Sequence, residues 1–128
     1  MNATRPLIVI VEDDAGMRRA LQRLLRVSGF DTLAFESAED YTLAGGQRVP
    51  HCFVIDVQLP GASGPQFFEQ LVLSGQARPP AVFITSHDNP ATRTAVASAG
   101  GLELLIKPFV AKELLDTISR AVLPGSPP

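Results

Sequence analysis

The sequence has little of what several broad classes of protein require. Its 128 residues include a single cysteine, which excludes an internal disulfide. The formal net charge of -2 gives no overall attraction to DNA or to an anionic membrane, so we expect no direct nucleic-acid binding by this chain. No segment approaches the ~18 apolar residues of a membrane span, and residues 1–6 contain no apolar stretch of signal-peptide length. These absences favour a cytoplasmic protein with no membrane contact.

The length and composition are those of one globular domain, for which roughly 150 residues is the usual prior. Hydrophobic residues make up 45% of the chain and charged residues 19%. Cys52 opens an apolar run, which indicates a buried small side chain rather than a reactive thiol. We expect the domain to occupy residues 1–122 and residues 123–128, with three prolines, to be a tail or the start of a linker.

Five short apolar runs predict strands. Leu7-Ile8-Val9-Ile10-Val11 shows no polar alternation, as expected of a strand that is covered on both faces. The other runs cover residues 30–35, 52–57, 81–84 and 102–106.

Helix signals follow every predicted strand. Asp14, Ser37 and Asn89 are residue types that cap helix N-termini, and Gly29 suits a helix C-terminus. The predicted helices cover residues 15–28, a short stretch from Ser37 to a break at Gly45-Gly46, and residues 65–74, 90–99 and 111–122. In the first helix one apolar face is predicted, made of Met17, Ala20, Leu21, Leu24 and Leu25. Strands that alternate with helices in this way predict an α/β fold, an open parallel sheet with helices on both faces.

Charged and polar residues stand where four of these strands end. Glu12-Asp13-Asp14 follows the first, Asp56 lies near the end of the third, Thr85 follows the fourth, and Lys107-Pro108 follows the fifth. Functional loops of such sheets lie beyond the carboxyl ends of the strands, so these residues are predicted to form one site. A charge in an apolar run is costly to bury, so Asp56 should lie where its strand leaves the core and meets partners.

The chemistry of this set suits a metal and a phosphoryl group. Three carboxylates close together repel unless protons or a cation intervene, and oxygen ligands with little His or Cys nearby favour Mg²⁺. A carboxylate can attack phosphorus to give an acyl phosphate. Lys107 could then hold one phosphoryl oxygen while the Thr85 hydroxyl donates to another.

Each feature alone has a simpler interpretation. Glu12-Asp13-Asp14 could be a helix cap with favourable dipole charge, Thr85 an ordinary strand residue, and Lys107-Pro108 a strand terminus. Their joint occurrence, in this order and at these strand ends, favours a common site.

As a set the motifs resemble the receiver domains of two-component response regulators. The resemblance runs from Ile8 to Asp14, from Ile55 to Gly64, through Phe83-Ile84-Thr85, and to Ile106-Lys107-Pro108-Phe109. It implies a flavodoxin-like doubly wound sheet of five βα units with strand order 2-1-3-4-5. The stretches Glu36-Ser37-Ala38-Glu39-Asp40 and Thr85-Ser86-His87 look most like the subgroup that often precedes a LuxR-type helix-turn-helix output domain.

The resemblance implies a role for each acidic residue. Asp56 would accept a phosphoryl group from a histidine of a sensor histidine kinase or a histidine phosphotransfer protein. Asp13 would bind Mg²⁺ directly and Glu12 through water, and the Asp56 carboxylate and the Gln58 backbone carbonyl would complete the protein ligands.

It likewise implies that Thr85 and Lys107 contact the phosphoryl oxygens, with a cis peptide bond between Lys107 and Pro108. The chain would then be a phosphorylation-controlled switch in a two-component phosphorelay, and no enzyme beyond catalysing its own phosphorylation and dephosphorylation. A dimer is possible through the face formed by the fourth helix, the fifth strand and the fifth helix. Leu104 stands at a position where the family usually has Tyr or Phe, and an aliphatic side chain cannot report the same rotation to that face.

Other interpretations remain open at this point. His87 and Gln58 are hypothesised to modulate the lifetime of the phosphoryl group, although His87 could equally be a solvated loop residue, as is expected of His51. The four arginines of the first helix suit either a docking surface or a solvated face. An aspartyl phosphatase would need a second carboxylate near Asp56, which Val57-Gln58 does not supply. A phosphorylation-independent interaction module is a further alternative.

Overall fold

The computed structural model describes residues 5–44, 48–75 and 79–122, in which strands and helices alternate strictly. The elements are β1 (Leu7–Val11), α1 (Ala15–Val27), β2 (Asp31–Phe35), α2 (Ala38–Ala44), β3 (Cys52–Asp56), α3 (Gly64–Leu73), β4 (Ala81–Thr85), α4 (Pro90–Ala99), β5 (Glu103–Ile106) and α5 (Ala111–Val122). The predicted break at Gly45-Gly46 and the predicted tail at residues 123–128 lie outside the described residues.

The five strands form one parallel sheet in the order β2-β1-β3-β4-β5. This confirms the predicted α/β architecture and its strand order. Because all strands run the same way, their carboxyl ends lie at one edge of the sheet. No helix within the described ranges is long and apolar enough to cross a membrane.

Alternation along the strands divides the core into two faces. One is rich in aromatic rings and packs against α2, α3 and α4, with Tyr41, Phe53, Phe67, Phe68 and Phe83 at its centre. The other is mainly aliphatic and packs against α1 and α5, with Ile8, Ile10, Leu25, Ile84, Leu114 and Ile118 fully buried. Strands covered on both sides must be apolar throughout, which accounts for the unbroken runs in β1, β3 and β4.

The predicted helix caps are present. Asp14 and Asn89 accept hydrogen bonds from backbone N–H groups in the first turns of α1 and α4. Ser37 does the same for Asp40 at the start of α2. Gly29, directly after the Ser28 cap of α1, has a φ of 104°, a conformation that favours glycine at helix ends.

Several boundaries differ from prediction by one residue, as is usual where helices and strands end. β2 and β5 each begin one residue later, β3 ends at Asp56, and α1 and α3 are each displaced by one residue at one or both ends.

One side-chain prediction was wrong, and one loop residue makes a contact that was not predicted. Ala20 is exposed, because Leu21 and Leu25 centre the buried stripe and the short side chain of Ala20 lies outside it. His51 is more than a loop residue, because its Nδ1 accepts a hydrogen bond of 3.0 Å from the backbone N–H of Leu7. It thereby ties the start of β1 to the loop before β3.

Candidate functional site

The carboxyl ends of four strands bring the predicted residues together. Glu12 follows β1, Asp56 ends β3, Thr85 ends β4 and Lys107 follows β5. Glu12, Asp56 and Thr85 are 1%, 4% and 0% exposed, whereas Asp13 is exposed. The site therefore has a buried floor and an open acidic side.

A charged cluster of Glu12, Asp56 and Lys107 forms that floor. Lys107 Nζ donates to Glu12 Oε1 at 2.9 Å and to Asp56 Oδ2 at 3.0 Å. Such charge-assisted hydrogen bonds are stronger than those between neutral groups. Here they link Lys107 to side chains that lie 95 and 51 positions earlier in the sequence. The prediction that Asp56 meets partners where its strand leaves the core is confirmed.

Burial and ion pairing together set the pKa values of Glu12 and Lys107 in this cluster. It raises the pKa of Glu12, and the nearby Asp56 adds to that rise, while the hydrogen bond from Lys107 opposes it. Burial alone would lower the pKa of Lys107, but its hydrogen bonds to Glu12 and Asp56, together with their charges, outweigh burial and raise that pKa. Two buried carboxylates share one ammonium, so a further cation would be favoured here.

The carboxylates also lie close enough together to hold a metal ion. Ligand oxygens of Glu12, Asp13 and Asp56 all lie within 4.8 Å of one another. A donor set of carboxylate oxygens alone suits a hard cation such as Mg²⁺ better than zinc or copper.

A second group, the hydroxyl cluster, consists of Thr85, Gln58 and the backbone of His87. Thr85 Oγ1 donates to Gln58 Oε1 at 2.8 Å and accepts from the backbone N–H of His87 at 3.0 Å. The backbone N–H of Gln58 donates to Asp56 Oδ1 at 3.0 Å, which links the two clusters. The contact between the Gln58 and Thr85 side chains was not predicted, because no pattern in the sequence indicates which side chains pair at the ends of two different strands.

Backbone packing holds Asp56 in place. Gly64, the first residue of α3, lies so close to β3 that a Cβ there would be 2.4 Å from the Asp56 carbonyl oxygen and 2.9 Å from Ile55 Cγ2. Its N–H donates to the carbonyl of Val57 at 3.0 Å. The Gly in the loop motif is the signal that could have revealed this close approach.

Two long side chains brace the surrounding loops. Arg18 donates to the backbone carbonyl of Glu12 at 2.8 Å, so this arginine of α1, like Arg26, which donates to Thr32 Oγ1 at 3.0 Å, is not simply solvated. Glu39 accepts from the backbone N–H of Ala62 at 3.2 Å and lies against Gly61, whose φ is 73°. Both contacts support the loops that carry the acidic residues, and neither was predicted.

Beyond β5 the predicted cis peptide bond between Lys107 and Pro108 is present. The backbone N–H of Lys107 donates to the carbonyl of Thr85 at 2.7 Å, which places the two strand ends side by side. Leu104 is half-buried against the aromatic face of the core and pairs with Phe83 in the sheet register.

Comparisons with known proteins agree with this geometry. The family model for the response regulator receiver domain matches residues 8–119. Nodulation protein W of Bradyrhizobium diazoefficiens is 35% identical over 119 residues, which are 93% of this chain and 52% of that protein. Response regulator MprA of Mycobacterium avium is 34% identical over 122 residues, 94% of this chain and 52% of that protein.

Solved structures give the same picture. The response regulator StyR is 38% identical with a TM-score of 0.80, covering 93% of this chain and 60% of that one. The chemotaxis protein CheY4 of Vibrio cholerae has a TM-score of 0.85 at 19% identity, covering 92% and 99% of the two chains. The second likeness shows the fold alone, and it confirms the predicted flavodoxin-like class.

This chain belongs to the response regulator receiver domain family, whose members act in two-component signalling. Receiver domains bind Mg²⁺ at an acidic pocket, and the carboxylates of Glu12, Asp13 and Asp56 form such a cluster here. The chain spans about half the length of the two curated relatives described above.

Proposed function

We propose that Asp56 is the phosphoacceptor of this receiver domain. The observation that carries the proposal is that the Asp56 carboxylate, 4% exposed, ends a central strand with an ammonium 3.0 Å from one oxygen. A charge at that point of an apolar strand is costly to bury, and the need for a nucleophilic carboxylate accounts for its presence. The phosphoryl donor is a phosphohistidine of a sensor histidine kinase or a histidine phosphotransfer protein.

Mg²⁺ is the cofactor that fits the acidic side of the site. In this proposal Asp13 binds it directly and Glu12 through water, with the Asp56 carboxylate and the Gln58 backbone carbonyl as further ligands. The clustered carboxylate oxygens support that assignment, since Mg²⁺ takes one or two carboxylates and keeps several waters. When bound, the ion neutralises charge that develops on the phosphoryl oxygens.

The residues of the chain would act in a definite order. A carboxylate oxygen of Asp56 attacks phosphorus, the bond from phosphorus to the donor histidine nitrogen breaks, and an acyl phosphate forms. Lys107, which already contacts Asp56, then holds a phosphoryl oxygen, and the Thr85 hydroxyl donates to another. The chemistry of the chain is limited to gaining and losing this group, so it is a switch and not an enzyme with a separate substrate.

The whole protein extends this role in ways the relatives suggest. Residues 1–122 are the receiver domain, and residues 123–128 are a tail or the start of a linker. The relatives are about twice as long, which supports an output domain beyond the receiver, and we favour a LuxR-type helix-turn-helix. The receiver itself works in the cytoplasm without binding nucleic acid, and the surface of α4, β5 and α5 serves as its dimer face.

The proposal is tested by phosphorylation from acetyl phosphate with Mg²⁺, followed by intact-mass measurement. Wild type should gain one phosphoryl group of about 80 Da, and Asp56→Asn should gain none, because the amide is not a nucleophile. Asp116→Asn is the matched control, since it makes the same change at an exposed residue of α5. If Asp56→Asn is labelled as well as Asp116→Asn, Asp56 is not the phosphoacceptor.

A further inference from the structure

The Thr85 hydroxyl has one hydrogen and two acceptors nearby. The Thr85 side chain is fully buried, so water cannot serve as a partner. Oγ1 lies 2.8 Å from Gln58 Oε1 and 3.4 Å from the backbone carbonyl of His87, so the hydrogen is given to Gln58. A threonine hydroxyl that already donates to an amide cannot donate to a phosphoryl oxygen.

Gln58 contacts both Asp56 and Thr85, the proposed phosphoacceptor and the proposed hydroxyl donor. Its backbone N–H donates to Asp56 Oδ1 at 3.0 Å, while its side-chain oxygen holds Thr85. The residue is exposed, so its amide can turn toward water at little cost. The Thr85 hydroxyl, in contrast, is buried in this structure, where its acceptors are Gln58 and, at a longer distance, the His87 carbonyl.

We propose that Gln58 is a positioning residue that keeps the Thr85 hydroxyl occupied in the unphosphorylated chain and competes with the phosphoryl group for it. This inference rests on the proposed function of Asp56 and Thr85. Uptake of the phosphoryl group exchanges one acceptor for another, so the length and the polarity of the side chain at position 58 set the affinity for it. A side chain without an acceptor oxygen would leave Thr85 with only the longer contact to the His87 carbonyl, at 3.4 Å, until the phosphoryl group arrives.

Beryllofluoride, which activates a structurally similar receiver, serves as the phosphoryl mimic. Its affinity is measured with Mg²⁺ for wild type, Gln58→Met, Thr85→Val and the double variant. Methionine matches glutamine in length without a strong acceptor, so Gln58→Met should bind the mimic roughly three- to tenfold more tightly, the worth of one hydrogen bond. Thr85→Val should weaken binding, and in its background Gln58→Met should change nothing.

This double-mutant cycle distinguishes competition for the Thr85 hydroxyl from steric blocking of the site by the Gln58 side chain. If Gln58→Met tightens binding equally with valine at position 85, Gln58 acts by obstructing the entrance and the proposal is wrong. Failure to tighten binding with Thr85 intact overturns it as well. Gln70→Met makes the same change on the exposed side of α3 and should leave the affinity unaltered. Urea midpoints show that the variants are folded.

A second measurement needs no mimic, so it distinguishes this inference from the proposed function. In the ligand-free protein the Thr85 hydroxyl proton, observed by NMR, should exchange with water slowly in wild type and faster in Gln58→Met, because the nearer of its two acceptors is removed. An unchanged exchange rate in the variant overturns the proposal whether or not beryllofluoride binds. Absence of mimic binding by wild type, or equal binding by Asp56→Asn, counts against the phosphoacceptor assignment instead.

Discussion

The charged cluster and the hydroxyl cluster differ in how they are held. In the charged cluster two buried carboxylates share one ammonium, so no member can leave without stranding a charge in the core. In the hydroxyl cluster Thr85 is buried, but Gln58 is exposed and its side-chain amide can turn to water. One half of the site therefore holds charge in place, and the other half can exchange hydrogen-bond partners.

Removal of the shared ammonium should give the largest effect. Lys107→Met leaves Glu12 and Asp56 without a counter-ion, so we expect the free energy of unfolding at pH 7 to fall by roughly 3 kcal/mol. Phosphorylation by acetyl phosphate should slow by about 100-fold, as is typical when one group that stabilises developing charge is lost. Urea denaturation and intact-mass time courses measure the two effects.

The control for this change is Lys112→Met. Lys112 pairs with Asp116 on the surface of α5, with side chains 83% and 51% exposed, and such pairs contribute no more than about 0.5 kcal/mol. Equal destabilisation by the two variants would contradict a special role for burial in the charged cluster.

The close packing of α3 against β3 at Asp56 can be disrupted without a change in the Asp56 charge. In Gly64→Ala the new Cβ meets the Asp56 carbonyl oxygen, which is backbone and cannot move aside, so α3 must shift away from β3. Overpacking of this kind costs roughly 2 kcal/mol, measured by urea denaturation. Gly16→Ala is the matched control, because its Cβ has only Asp14 at 3.9 Å and the helix should gain about 1 kcal/mol. Stabilisation by both substitutions would mean that the contact between β3 and α3 can relax.

The hydroxyl cluster should respond less to a change in volume. Thr85→Ser keeps the hydroxyl that donates to Gln58 and removes one buried methyl group, which lowers the free energy of unfolding by about 1 kcal/mol. Beryllofluoride affinity should stay within twofold of wild type, because the hydrogen-bond donor remains. A large loss of mimic affinity in this variant would show that the methyl group, and not only the hydroxyl, positions the ligand.

Much of the fold and the site could be predicted from local patterns. Apolar runs located the strands, and the residues that follow them located the edge where Glu12, Asp56, Thr85 and Lys107 meet. Caps such as Asp14 were predictable because a cap and its helix are neighbours in the sequence. The parallel topology completes the prediction of the site, because it brings together strand ends that lie far apart in the chain.

The contacts that could not be predicted join polar side chains to groups that are distant in the sequence. The hydrogen bond from Thr85 to Gln58 joins residues 27 positions apart, and its existence depends on side-chain direction rather than on spacing. Arg5 is another case, since it donates to the carbonyls of Arg26 and Gly29 at the end of α1 from the segment before β1. Such contacts follow from the packed structure, because a polar side chain on the surface has many possible partners.

The smallest effect is expected where the hydroxyl cluster meets the surface. Asp88, next to His87, accepts two hydrogen bonds from Arg93 of α4, and these hold the pKa of Asp88 below its usual 3.8. Any stabilisation is therefore present above pH 3.8 and lost as pH falls through the lower value in the folded protein. Both groups are exposed, so Arg93→Met should leave the urea midpoint at pH 7 unchanged within error. Asn89→Ala removes the N-cap of α4 and should lower the urea midpoint measurably. A larger loss in Arg93→Met than in Asn89→Ala would show that the surface ion pair, and not the cap, stabilises this loop.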